Sequence, residues 1–142
     1  MATINNRDKN LLILGLAKKA GLLAIGAEDT SSAARAGKAR LIISACDASG
    51  NALRRASNSA EVGRAPYIIA PFTSFELGIA SGRGSPGTLA ILDVGLAAAF
   101  MKGLAASEPD RYSDVAEILS QKASVRSAKT QRPPSGKRRT AI

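Results

Sequence analysis

No tryptophan and no histidine occur among the 142 residues, and Cys46 is the sole cysteine. With one thiol, no disulfide can close within the chain. With no imidazole as well, neither a structural zinc site nor a histidine-based catalytic triad can be assembled. No metal and no cofactor are expected. Aromatic residues make up only 4 %, so the core has to be built from alanine, leucine and isoleucine. No apolar run approaches the ~20 residues that a membrane helix needs, and the opening MATINNRDKN has no signal-peptide pattern. A reducing, cytoplasmic location without a membrane partner is the expectation.

Acidic residues are missing from one stretch in particular. Residues 123–142 carry Arg126, Lys129, Arg132, Lys137, Arg138 and Arg139 and no carboxylate. Residues 1–122 hold 14 basic and 11 acidic side chains, which leaves +3 of the total +9 there. The tail is thus a separate electrostatic object, and the arrangement favours a polyanion, most often nucleic acid. Two readings of it are open: a solvated terminus that aids solubility, and an RNA-binding arm.

What is present alternates. Leu12, Ile13, Leu16, Ala17 and Ala20 recur at helical spacing, with Lys18 and Lys19 at the end and Gly21 as the stop. The two lysines read as a dipole complement on a solvated face or as phosphate contacts. Leu22 to Ile25 is a short strand that leads into Gly26. The next helix turns Ala27, Thr30, Ala33 and Ala34 inward and ends at Gly37, before an unbroken apolar strand at Leu41–Ile43. Cys46 then reads as a small buried residue. Ser49 can cap a helix over 51–59 that keeps Arg54 and Arg55 outside. Tyr67–Ile69 is a strand closed by Pro71, and Thr73-Ser-Phe-Glu76 has capping-box spacing. Gly82–Gly87 is a mobile glycine-rich loop bearing Arg83, either a plain connector or a loop that closes over a ligand. Leu89–Leu92 is the last strand, and Asp93 caps a helix that reaches roughly Leu104.

This order predicts an α/β chain, a three-layer α/β/α sandwich, over residues 1–104. Tyr112, Val115, Ile118 and Leu119 place an extra amphipathic helix within 105–122, docked on the domain or on a partner. Residues 123–142 have almost no apolar side chains and are expected to be disordered.

The stretch Gly26–Ala45 carries most of the functional signal. A helix that opens on glycine presents exposed backbone N–H groups, suited to a phosphate or a base edge. Glu28 and Asp29 in its first turn either compensate the helix dipole or accept from base amino groups. No acidic pair can be assigned as general acid and base, and Gly82–Gly87 does not match P-loop spacing. An enzyme is not expected.

Gly15-Leu-Ala-Lys-Lys-Ala-Gly21, Gly37-Lys-Ala-Arg-Leu41 and Glu76-Leu-Gly78 stand in the order and spacing of a known family. Over roughly Asn10 to Leu104 the chain resembles the L-seven-Ae / L-thirty-e ribosomal proteins, the bacterial-type members most of all. The resemblance implies a four-stranded mixed sheet and binding of structured RNA, typically kink-turns in ribosomes and other ribonucleoproteins. Carried over by position, one RNA surface is Gly26, Ala27, Glu28, Asp29 and Ser32. The other is Arg83, Gly84, Ser85 and Pro86, with Ser49 and Leu53 at the margin. The chain departs from the family at three of these positions: Glu28-Asp29 replaces the Asn-Glu of many kink-turn binders, and Ser32 replaces a lysine. These changes remove an amide donor and a cation. A noncatalytic, monomeric, ribosome-associated RNA binder, with ribosomal proteins among its neighbours, is therefore the first expectation. An adaptor that kept the fold and lost the RNA surface is the second.

Overall fold

The computed structural model describes the backbone of residues 6–131 and the side chains of residues 7–126. The chain runs α1 (Asn6–Lys19), β1 (Leu23–Ile25), α2 (Ala27–Arg35), β2 (Leu41–Ser44), α3 (Gly50–Gly63), β3 (Tyr67–Ile69), α4 (Ser74–Ser81), β4 (Thr88–Ile91), α5 (Val94–Ser107) and α6 (Pro109–Gln131). The strands form one mixed sheet in the order β1-β4-β2-β3, with β2 and β3 parallel and the other pairs antiparallel.

Both faces of this sheet are covered, which explains why β2 and β4 are apolar without alternation. Leu41, Ile43, Leu89 and Ile91 point to one face and pack with Leu14, Leu77, Phe100, Met101 and Leu104 of the α1/α4/α5 layer and with Phe72 just before α4. Ala24, Ile42 and Ala90 point to the other and meet Ala34, Ala56 and Ala60 of α2 and α3. Alanines allow that second layer to lie close. A Cβ on Gly63 would crowd Ala34 at 3.0 Å, so the α2–α3 contact depends on the missing side chain.

Helix ends follow local chemistry. Ser49, Thr73 and Asp93 cap α3, α4 and α5 by accepting from the N–H groups of Ala52, Glu76 and Leu96. Glu76 completes the capping box by accepting from the N–H of Thr73 at 2.9 Å. Its carboxylate is also held by Arg7 at 2.6 Å, and that guanidinium lies over the Phe72 ring. The Thr73 N–H and then Arg7 keep the Glu76 carboxyl below its ordinary pKa.

Three expectations are corrected. The buried face of α1 is Asn10, Leu14 and Ala17, whereas Leu12 and Leu16 are 56 % and 57 % exposed and Ala20 is exposed. Packing on α5 sets the phase: Leu14 and Ala17 are fully buried, and the side-chain oxygen of Asn10 fills the space that a Cβ on Gly103 would need. Second, Cys46 is exposed rather than buried, because β2 ends at Ser44 and the chain turns outward. Third, α6 does not stop at Lys122. It docks on the domain through Tyr112, Ala116 and Leu119, while Ile118 is exposed. It then continues to Gln131, so residues 123–131 are helical rather than disordered. Ala123 packs on the core and Arg126 pairs with Asp93 at 2.6 Å, which carries the helix onward. Arg132, Lys137, Arg138 and Arg139 and the Lys129 side chain lie outside the described residues.

Candidate nucleic-acid interface

Gly26 adopts φ 96° and ψ 165°, a conformation open to glycine, and its N–H donates to the Thr88 carbonyl at 2.9 Å. That bond ties the entry of α2 to the start of β4. Having no side chain, Gly26 cannot cap, and among the described residues no side chain accepts from the first-turn N–H groups of α2. Three other helices are capped by side chains; this one leaves its first-turn N–H groups without a side-chain acceptor among the described residues. Glu28, Asp29 and Ser32 are all exposed. Ser32 accepts a long bond from Arg35 at 3.4 Å, one turn on.

The loop before β4 is laid against α4. The N–H groups of Gly82 and Arg83 both donate to the Gly78 carbonyl, and the Gly84 carbonyl lies over the bare Cα of Gly78. The first half of the loop is therefore pinned, where the glycines alone had suggested mobility. Arg83, Gly84 and Ser85 are exposed and Pro86 is half-buried. Among the described residues Arg83 has no ion-pair partner. Lys18 brings a second cation to the loop, its Nζ within 3.3 Å of where a Gly82 Cβ would stand. Nothing local in the sequence links the lysine pair at the end of α1 to residue 82.

The loop ends where α3 begins. The Gly87 carbonyl accepts from the Ala45 N–H, and Gly87 lies near Ala48 and Ala52. Ser49 uses its hydroxyl as the α3 cap at 3.1 Å, and half-buried Leu53 sits one turn on. Asp47 accepts from the Ser74 N–H at 2.8 Å, tying the end of β2 to the start of α4. The α2 entry, the α3 start and the end of the Gly82–Gly87 loop thus gather at one end of the sheet. Arg126 does not belong to this end; it sits with Asp93 beyond the other end of β4.

Next to the α2 entry, a cleft of about 250 Å³ opens between α2 and α3, lined by Thr30, Ser31, Arg35, Arg55, Asn58 and Ser59. The Thr30 hydroxyl is buried and has no hydrogen-bond partner. Among the described residues no group of three or more histidine, cysteine, aspartate or glutamate side chains is placed to hold a metal, and no helix is long and apolar enough to cross a membrane.

No family model matches the chain, and no curated protein matches it significantly in sequence. The architecture, however, is that of known three-layer sandwiches. A protein of unknown function from Bacillus halodurans C superposes with a TM-score of 0.57 at 27 % identity, covering 65 % of this chain and 96 % of its own. The Giardia lamblia 15.5kD RNA binding protein superposes with a TM-score of 0.56 at 19 % identity, covering 77 % of this chain and 92 % of its own.

Proposed function

We propose that the protein is a noncatalytic RNA binder of the L-seven-Ae / L-thirty-e type, ribosome-associated and cytoplasmic, which grips structured, kink-turn-like RNA. The entry of α2 offers backbone donors. Arg83, with Lys18 beside the loop, meets phosphates, and Glu28 and Asp29 accept from exposed base amino groups. The observation that carries this reading is the uncapped start of α2, tied by the Gly26–Thr88 bond to the strand that the glycine loop feeds. The net charge of +9 and the RNA-binding activity in the name of the Giardia neighbour support it.

The test is binding of the full chain to a kink-turn RNA and to a straight duplex of the same composition, over a range of salt. Preference for the kinked RNA at moderate salt, with affinity falling steeply as salt rises, is the expected result. Equal affinity for both removes the shape-specific part.

A second reading, a protein-interaction adaptor, is favoured by Leu12, Leu16, Phe75 and Ile79, exposed on the packed pair α1 and α4 at 56–69 %. Partners that stay bound after nuclease treatment would select it.

A further inference from the structure

At the far end of the sheet from the α2 entry lies a second cleft, of about 420 Å³. Its walls come from the start of β2, the α3–β3 connection, the end of β4 and α6. Four cations line it (Arg40, Arg64, Lys122 and Arg126) against a single carboxylate, Asp93. Asp93 is already engaged, because it caps α5 and pairs with Arg126. Among the described residues, Arg40, Arg64 and Lys122 form no ion pair. An apolar floor of Ala39, Ala65, Pro66, Leu92 and Leu119 lies between them.

Arg64 is the telling member. It is the one residue other than glycine with positive φ among the described residues, at φ 52° and ψ 42° in the left-handed cap of α3. Glycine is the usual occupant there. Glycine does stand one residue earlier, at position 63, where the contact with Ala34 requires it. A β-carbon and a guanidinium are thus kept in a disfavoured conformation at the rim of the cleft. The dipole of α3 accounts for a cation at its own C-terminus, but not for the convergence of Arg40 from before β2 and Lys122 from α6.

We infer that this cleft is a second RNA site, which takes the phosphate backbone of a segment separate from the one held at the α2 entry. The inference takes RNA as the partner from the reading above. Phosphate chemistry fits three unpaired cations over an apolar floor able to receive a sugar. α6 leads from the cleft into the stretch from 123 on, which adds basic residues and no acidic one. The two sites flank the ends of β4: Thr88 lines the cleft beside one and Leu92, just past the strand, lines the other, about 13 Å apart along the strand. One molecule would then clamp two stretches of backbone at opposite ends of the sheet.

The test uses the full chain with Arg40→Gln, Arg64→Gly and Lys122→Gln combined. Glycine suits the left-handed position, so the fold is retained, and a thermal melt checks this. Binding is measured to the kinked and straight RNAs between about 50 and 200 mM salt, where counterion release dominates. The expected result is an affinity loss of about tenfold or more for both RNAs, their ratio preserved. The slope of log affinity on log salt should shrink by roughly two to three units, near 0.9 per lost phosphate contact. Unchanged affinity and slope for both RNAs overturn the inference. Stabilisation of the wild type by inorganic phosphate, or capture of poly-aspartate, that the triple variant loses while RNA binding stays intact also overturns it. Those results assign the cleft to a free anion or to an acidic protein. Failure of the α2 reading looks different: wild type without preference for the kink, yet with the slope change on substitution. Wild type that binds neither RNA sinks both.

Discussion

Gly78 of α4 and Gly84 of the following loop touch backbone to backbone, so that a Cβ on residue 78 would overlap the Gly84 carbonyl. Gly78→Ala is the sharpest probe of the loop seat. In an exposed helix interior the change would gain up to about 1 kcal/mol of helix propensity. Here a net loss of stability is expected in urea denaturation, with weaker RNA binding as the loop lifts. Gly50→Ala, at the start of α3 where a Cβ meets nothing, is the control and should be neutral or slightly stabilising.

The α1 phase can be tested by a paired substitution. Leu14 is fully buried and Leu16 is 57 % exposed. Leu14→Ala should cost about 2–5 kcal/mol, and Leu16→Gln should stay within about 0.5 kcal/mol. A large loss at Leu16 in denaturant titration would return the helix to the face expected from its spacing.

Acid sensitivity follows from two carboxylates. Glu76 is held below its ordinary pKa by the Thr73 N–H and by Arg7. Burial pushes Asp93 up, but the Leu96 N–H and Arg126 together outweigh it, so its pKa is also lowered. A carboxyl with a lowered folded pKa stabilises fully above its unfolded value, and this stabilisation is lost as pH falls through the folded one. Thermal melts should therefore hold steady from neutrality down to about pH 5 and decline below about pH 4. Glu76→Gln with Asp93→Asn should lower stability at neutral pH and flatten the acid decline.

Supplying the donors of the family that the sequence resembles tests the proposed interface. Glu28→Asn with Ser32→Lys supplies an amide and a cation at two exposed positions. A bidentate base contact is worth about 1–3 kcal/mol, so affinity for a kink-turn should rise by about tenfold or more, with little change for a straight duplex. An equal gain on both RNAs would mean that only charge was added.

Much of the fold was legible because local chemistry and burial agree: the capping box at Thr73, the Ser49 and Asp93 caps, and the apolar runs that became β2 and β4. The α1 face was not. Leu11 to Leu16 is apolar nearly throughout, so spacing alone fixes no phase; packing against α5 does, where Asn10 meets Gly103 across 93 positions of chain. The last turns of α6 were hidden for a similar reason, since the partner of Arg126 stands 33 residues earlier. The α2 entry could be found from one glycine and its neighbours. The cleft at Arg40, Arg64 and Lys122 could not, because it exists only once three distant segments meet.

The Tyr112 hydroxyl donates to the Ile69 carbonyl at 2.7 Å, and Ile69 is the last residue of β3, the outermost strand on that side. A bare strand edge is a template on which another molecule can add its own strand. Tyr112, together with Arg111 at 3.4 Å, occupies the last carbonyl of that edge, so one acceptor is closed to an incoming strand. Loss of the last helix would free that acceptor for strand addition.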